Sequence, residues 1–329
     1  MRIFSSSLAV TCIGRVGLVA SVAVLAACEQ RASRLDKAST QPAAAAAAAA
    51  PSSSVPGGLK IDRSGSVEQQ LARLQDAYDR NAEVLDLLNK ELARSKEQQA
   101  QQERDMPAPD AMFAVDVADD IKAGQVDGPA TAPVTIIKAF DFACPYCQKV
   151  SGTMEELVKE YAGKVRVVYA NMLVHDVARP AHLASCAAAR QGKYMQFKDA
   201  FWDKGFGPYA SSGGQNASSL GEDNLLAIAK GIGLDADKLK ADMASAECKQ
   251  RIEHDIQELN KFHVSATPTF FINGKFVDGA LPKAQFKALI DEQLKQVEKS
   301  GVSGADYYNK VVLAKGEKQF RSKTDPKTN

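Results

Sequence analysis

Two cysteines, Cys144 and Cys147, stand one helical turn apart just after the apolar, strand-like run Val134-Thr-Ile-Ile-Lys-Ala-Phe140, and nothing else in the chain restricts its fold as much. A C-x-x-C pair serves either metal ligation or dithiol redox. Structural zinc normally takes a second Cys/His pair at short spacing. A strand, then C-x-x-C, then a helix (here expected from near Cys144 through Tyr161) suits a redox pair instead. Cys144 then falls at a helix N-terminus, where unpaired N–H groups and the macrodipole favour the thiolate. Thiolate is the form that attacks a disulfide. Cys147, one turn on, is placed to attack the resulting mixed disulfide and release it.

The surrounding elements alternate in type. Val165–Tyr169 reads as a second strand, and alanine-rich helical sequence fills Arg179–Trp202 and Asp223–Asn260, interrupted by GPYASSGGQN. Thr269-Phe-Phe-Ile272 and Lys275-Phe-Val277 flank Asn273-Gly274, a two-residue hairpin turn. A last amphipathic helix is expected from Pro282 to about Glu298. The expected globular unit is therefore an α/β domain over 111–298, with a helical insert at about 178–262. Residues 299–329 are expected to form a C-terminal tail, frayed over the lysine-rich stretch from Lys315 to Asn329. Apolar residues make up 45% of the chain, enough for a substantial core. Forty-one Lys and Arg against 40 Asp and Glu leave a formal charge of +1, so no basic surplus recruits nucleic acid.

The amino-terminal third carries little core. Residues 1–27 hold two arginines, no acids and the apolar run Val16–Ala27, the layout of a secretory signal. Leu25-Ala26-Ala27-Cys28 resembles the bacterial lipobox, which implies cleavage before Cys28, lipidation of its thiol and a lipid anchor in the membrane. Simple cleavage after Ala27 is the alternative. Residues 28–65, with eight consecutive alanines (Ala43–Ala50) and PSSSVPGG, read as a low-complexity tether. From Ser66 the rhythm changes. Ser66-Val67-Glu68-Gln69 is a capping box. Leu71, Tyr78, Leu85 and Leu92 fall at heptad position a, with Val67, Leu74 and Leu88 at d and Asn81 in the seam. A coiled-coil, oligomerising helix over 66–103 is expected; a helix packing on its own domain is the alternative.

With these motifs in place, the chain resembles the DsbA-like thiol-disulfide oxidoreductases of the thioredoxin superfamily. The resemblance rests on Phe142-Ala-Cys144-Pro-Tyr-Cys147 and, about 120 residues on, Ala266-Thr267-Pro268-Thr269-Phe270-Phe271-Ile272-Asn273-Gly274. Ala132-Pro133-Val134-Thr135 and Gln191-Gly192-Lys193-Tyr194 extend it over roughly Gly128–Glu298. It implies a thioredoxin fold with a helical insertion, and Cys144 and Cys147 as a redox-active disulfide. It also implies a cis Pro268, with Thr267, Pro145 and Tyr146 beside the substrate. Relatives usually carry an acid six residues before the first cysteine; here that position is Lys138. A cation there would favour the Cys144 thiolate, or the side chain could extend to solvent.

Relatives often have cysteines near Cys186 and Cys248, which implies a structural disulfide between them. A zinc set completed by His182 and His254 is the competing arrangement. His175 and His263 have no expected part in the chemistry. Neither a metal nor another cofactor is expected. The leading expectation is an exported protein-disulfide oxidoreductase, leaning to isomerase or reductase. It would act on the thiols and disulfides of exported proteins, draw electrons from a membrane redox partner and form homo-oligomers. Thr267 and the heptad run both resemble the isomerising relatives (DsbC, DsbG and ScsC). A DsbA-type dithiol oxidase and a copper- or zinc-handling thioredoxin-fold protein are the alternatives.

Overall fold

The computed structural model describes residues 62–327. The expected leader, the Cys28 lipidation site and the tether as far as residue 61 lie outside the described residues. The chain divides into two units between Leu74 and Gln75. In the first, helix α1 (Val67–Asp105) begins with reciprocal capping. The Gln69 amide donates to Ser66 Oγ (3.4 Å), and the Ser66 amide donates to Gln69 Oε1 (3.1 Å). Each bond satisfies a donor that the first turn leaves free. The rest of α1 belongs to the second unit. No α1 residue is buried, and its heptad apolar side chains are 42–77% exposed. Val84, beside the seam, is as exposed as the seam residues.

The second unit is built on a five-stranded sheet in the order β1-β3-β2-β4-β5. Its strands are β1 (Val126–Asp127), β2 (Val134–Phe140), β3 (Val165–Asn171), β4 (Thr269–Ile272) and β5 (Lys275–Asp278). β2 and β3 run parallel; the other pairs are antiparallel. Every residue of β2, β3 and β4 is buried, which matches their nearly unbroken apolar sequence. Helix α2 (Ala118–Lys122) precedes β1, and α3 (Pro145–Glu160) joins β2 to β3. Between β3 and β4 come α4 (Arg179–Ala189), α5 (Tyr194–Phe201), α6 (Gly207–Ser211), α7 (Glu222–Gly231), α8 (Ala236–Ala244) and α9 (Ala246–Asn260). Helix α10 (Lys283–Ser300) and the short α11 (Gly304–Tyr307) follow the hairpin.

Local chemistry sets several of these limits. The helical sequence expected from Asp223 to Asn260 forms three helices, α7, α8 and α9. Asp235 caps α8 by accepting from the Lys238 amide (2.9 Å), and Ser245 caps α9 by accepting from the Cys248 amide (3.2 Å). The β4–β5 turn places Asn273 and Gly274 at φ +46° and +84°, the left-handed pair that a two-residue hairpin demands. Asn273 also ties the hairpin to β2: its Oδ1 accepts from the Thr135 amide (2.9 Å) and its Nδ2 donates to the Pro133 carbonyl (3.1 Å).

Two apolar layers cover the sheet. On one face Ile136, Phe140, Val167, Tyr169 and Phe270 meet α3, α4, α5, α7, α8 and α10. On the other, Ile137, Ala139, Val168 and Phe271 meet Phe113, Phe262 and the carboxy-terminal residues Tyr307, Tyr308 and Val312. That last contact corrects the expectation of a tail over 299–329. Tyr308 is buried and donates to the Val115 carbonyl (2.7 Å); Phe320 stacks on Phe113 with centroids 5.9 Å apart. The Phe320 amide also bonds the Lys261 carbonyl (2.8 Å). Lysines dominate this stretch because they cover its solvent side, while a few aromatics supply the packing. Tyr308→Ala should therefore cost about 3–5 kcal/mol of unfolding free energy, as for other buried aromatics. Urea denaturation would show it, and a loss under 1 kcal/mol would restore the view of a free tail.

Candidate active site

β2 ends at Phe140, and the next four residues turn the chain into α3. Asp141 shapes the turn. Its buried carboxylate accepts from the Ala143 amide through Oδ1 (2.7 Å) and from the Val174 and His175 amides through Oδ2 (2.7 Å each). Its carbonyl accepts from the Cys144 amide (3.1 Å). One side chain thus ties the entry to α3 to the loop that leaves β3. The sequence reading missed Asp141, although an Asp three residues before a helix-starting Cys is itself a turn signal. Cys144 takes the N-cap position, with Pro145 in the first helical turn. The Cys144 carbonyl accepts from the Cys147 and Gln148 amides (3.1 and 3.2 Å).

The two thiols differ sharply. Cys144 is drawn down to about 5, chiefly by the hydrogen bond that Cys147 gives it. Partial burial opposes that fall, while Thr267 and the Cys147 and Tyr146 amides add to it. Cys147 is fully buried, and burial pushes it far above the usual thiol range, with the same hydrogen bond to Cys144 adding to the rise. The structure therefore holds an anion-ready sulfur in front and a proton-retaining sulfur behind. Across from them the Thr267–Pro268 peptide bond is cis, and the Thr267 carbonyl lies 3.2 Å from Cys144 Sγ. Tyr146, between the two cysteines, is 62% exposed and presents its ring to solvent.

Lys138 sits beneath the pair and does not extend to solvent. It is completely buried, and its Nζ donates to the Cys147 carbonyl (2.9 Å) and to Ser151 Oγ (3.0 Å). Burial pulls it down to about 8, against an upward draw from Cys147 first and Cys144 after it. The expected target was Cys144. The geometry instead puts the ammonium on the Cys147 side, where its charge opposes that thiol's rise. Ser151, one turn after Cys147 and donating to the same carbonyl (2.9 Å), was not anticipated.

Cys186 and Cys248 lie away from this site and are bonded to each other, with Cα atoms 5.7 Å apart. The zinc arrangement with His182 and His254 is corrected accordingly: the sulfurs are used in the bond, and His182 is engaged elsewhere. His182 is buried and held down at about 4 by that burial, so it is neutral, and its Nδ1 meets Asn171 Oδ1 (2.9 Å). Asn171 in turn donates to Asp255 (2.6 Å). His175 borders Asp141 at 3.3 Å, and His263 stacks on Phe320. No group of three or more metal-ligating side chains gathers among the described residues.

A thioredoxin family model matches residues 120–292. The chain is 33% identical over 153 residues to a Na(+)/H(+) antiporter NhaA 3 of Salinispora tropica, covering 46% of this chain and 22% of the antiporter. It thus spans about a fifth of that relative's length, and no helix among the described residues is long and apolar enough to cross a membrane. A probable disulfide bond formation protein D of Bacillus cereus is 29% identical over 174 residues, covering 51% of this chain and 78% of that protein. Among solved structures, a thioredoxin-like oxidoreductase from Silicibacter pomeroyi superposes with a TM-score of 0.42 at 27% identity, covering 52% of this chain and 91% of that one.

Two outcomes follow from the thiol environments and the bridge. Alkylation of the reduced protein by iodoacetamide should titrate with a midpoint near pH 5 at Cys144. Because that value lies below the roughly 8.5 of an unfolded thiol, the reduced fold gains stability as pH rises through this window. It loses that gain as pH falls through 5, and the gain should vanish in Cys144→Ser. A midpoint above pH 8 would show that the hydrogen bonds do not act on this sulfur. Separately, replacing Cys186 and Cys248 with alanine should cost about 4 kcal/mol on the chain-entropy account of a 62-residue loop. The alkylation midpoint of Cys144 should not move.

Proposed function

This chain belongs to the thioredoxin family, and from that we propose that it is an extracytoplasmic thiol-disulfide oxidoreductase working through Cys144 and Cys147. One observation carries the proposal: a thiol drawn down to about 5 stands at the start of α3, 3.2 Å from the Thr267 carbonyl, with a buried second thiol one turn behind it. Among the described residues no backbone carbonyl accepts from the amides of Ser265, Ala266 and Thr267, which would leave them for an extended client chain.

In this reading Cys144 thiolate attacks one sulfur of a client disulfide. That disulfide breaks, a Cys144–client bond forms, and the second client sulfur leaves as a thiolate. Two exits exist. Cys147 attacks the Cys144 sulfur, releasing the client reduced by two electrons and leaving Cys144–Cys147 oxidised. Alternatively, another client thiolate attacks the client's own sulfur in the mixed disulfide and regenerates Cys144, which is isomerisation. Lys138 serves the first exit: its ammonium favours Cys147 as a thiolate, and its amine form can take the proton.

We favour isomerisation or reduction over dithiol oxidation. The exposed heptad seam of α1 supports an assembly of several copies, which would enclose a misfolded client and keep Cys144 and Cys147 from being oxidised. Thr267 before Pro268 supports the same direction. Residues 16–28 support export and a lipid anchor at Cys28, and a membrane partner would supply the electrons.

Light scattering of the protein, with and without residues 66–103, should show an oligomer that becomes a monomer on deletion. Refolding of scrambled ribonuclease should fall with it. A monomeric full-length protein would rule out the assembly, and an unchanged refolding rate would separate assembly from activity. Lys138→Met should slow Cys147-dependent release of a trapped mixed disulfide roughly tenfold, the equivalent of one pKa unit. The Cys144 alkylation midpoint should hardly move. If the midpoint shifts and release does not, the lysine acts on the wrong sulfur for this account.

A further inference from the structure

A groove of about 770 Å³ opens beside the loop that faces Cys144. Its lining includes Asp105 and Met106 at the end of α1, Ser265 and Ala266 before Pro268, and Phe276 and Asp278 on β5. Phe276 and Asp278 are two residues apart and so share a face of the edge strand. Ala266 and Thr269, both in the lining, bracket the Thr267 carbonyl that touches Cys144 Sγ. The groove thus adjoins the cis-proline loop whose Thr267 carbonyl lies 3.2 Å from Cys144 Sγ.

Its charge is one-sided. Asp105 and Asp278 are exposed, and neither takes part in an ion pair among the described residues; Asp105 only accepts from Gln101 Nε2 (3.0 Å). Of the nearby cations, Lys261 pairs with Glu258 and Lys323 with Glu103, while Arg104 donates to Gln101 Oε1. His263 lies with its ring stacked on Phe320. The same groove is lined by the apolar surfaces of Met106, half exposed, and Phe276. An aliphatic stem ending in a cation suits a groove that combines apolar surface with carboxylates.

We propose that this groove is a subsite for a lysine or arginine of the client polypeptide, lying two to four residues from the client's reacting cysteine. The proposal rests on Cys144 being the nucleophile. The spacing follows from the register: Asp278 pairs with Thr269, two residues beyond Thr267. At about 3.3 Å per extended residue, a client chain anchored at Cys144 reaches the carboxylates within a few positions. The site therefore selects among exposed cysteines by the charge of their neighbours.

The test uses the full reduced protein and blocked nine-residue peptides with a central cysteine as its thionitrobenzoate mixed disulfide. Arginine, glutamine or glutamate stands three residues to either side. At low salt the arginine peptide should react about fivefold faster than the glutamine peptide in one of the two placements, as expected for exposed ion pairs. The glutamate peptide should be slower still. The preference should shrink toward unity near 1 M salt, where charges are screened within ~3 Å. In Asp105→Asn/Asp278→Asn the arginine-to-glutamine ratio should fall to about one. Equal rates in the wild type, or an undiminished ratio in the double variant, would overturn the subsite. Fluorescence anisotropy with cysteine-to-serine versions of the same peptides reads the same ratio without redox chemistry. If no peptide reacts while the arginine version still binds better, the nucleophile assignment fails and the subsite stands.

Discussion

The turn between β2 and α3 is the constraint on which the rest of the site depends. A buried parallel strand pair brings the chain to the carboxy-terminal end of the central strand, and Asp141 there accepts from three backbone amides. Those bonds hold the start of α3 rigidly against the loop after β3. Cys144 consequently meets the free N–H groups of a helix terminus, and Cys147 is carried one turn inward, out of water. The contrast between the two thiols follows from that displacement. The same hydrogen bond lowers the outer sulfur and raises the inner one, so burial of one member sharpens the reactivity of the other.

Lys138 shows how a single residue takes its meaning from packing. On β2 it shares a face with Ile136 and Phe140 and points into the layer beneath α3. Putting an ammonium there is costly unless its donors are met. The Cys147 carbonyl and Ser151 hydroxyl meet two of them, and the Tyr169 ring lies 5.9 Å away. The result is a cation held next to the inner thiol. On the opposite face of the sheet a different economy operates. Phe113, from the segment after α1, is roofed by Phe320 and flanked by Phe262, Phe271 and Phe276, so residues 207 positions apart close one core.

Much of this is legible in the amino-acid sequence. The mostly apolar, strand-like runs located β2, β3 and the β4–β5 hairpin, because burial on both faces leaves little choice of residue. The capping box at Ser66 and Asn273-Gly274 marked their elements through local hydrogen bonding and backbone sterics alone. Cys144 and Cys147 were readable because their chemistry depends on spacing within one turn. By contrast, β1 and α2 are too short to leave a pattern, and the carboxy-terminal segment hid a few aromatics among many lysines.

The sequence by itself determined the order of the main strands and helices, the dithiol and the heptad rhythm, since each rests on interactions between residues close in the chain. Only the tertiary structure decided that Lys138 is buried against Cys147, that Asp141 organises the turn and that Cys186 meets Cys248. It likewise decided that Asp105 and Asp278 line one groove beside the cis-proline loop. These are contacts between segments 9 to 173 positions apart. A side chain's burial, and with it the cost of its charge, is a property of what the fold stacks around it.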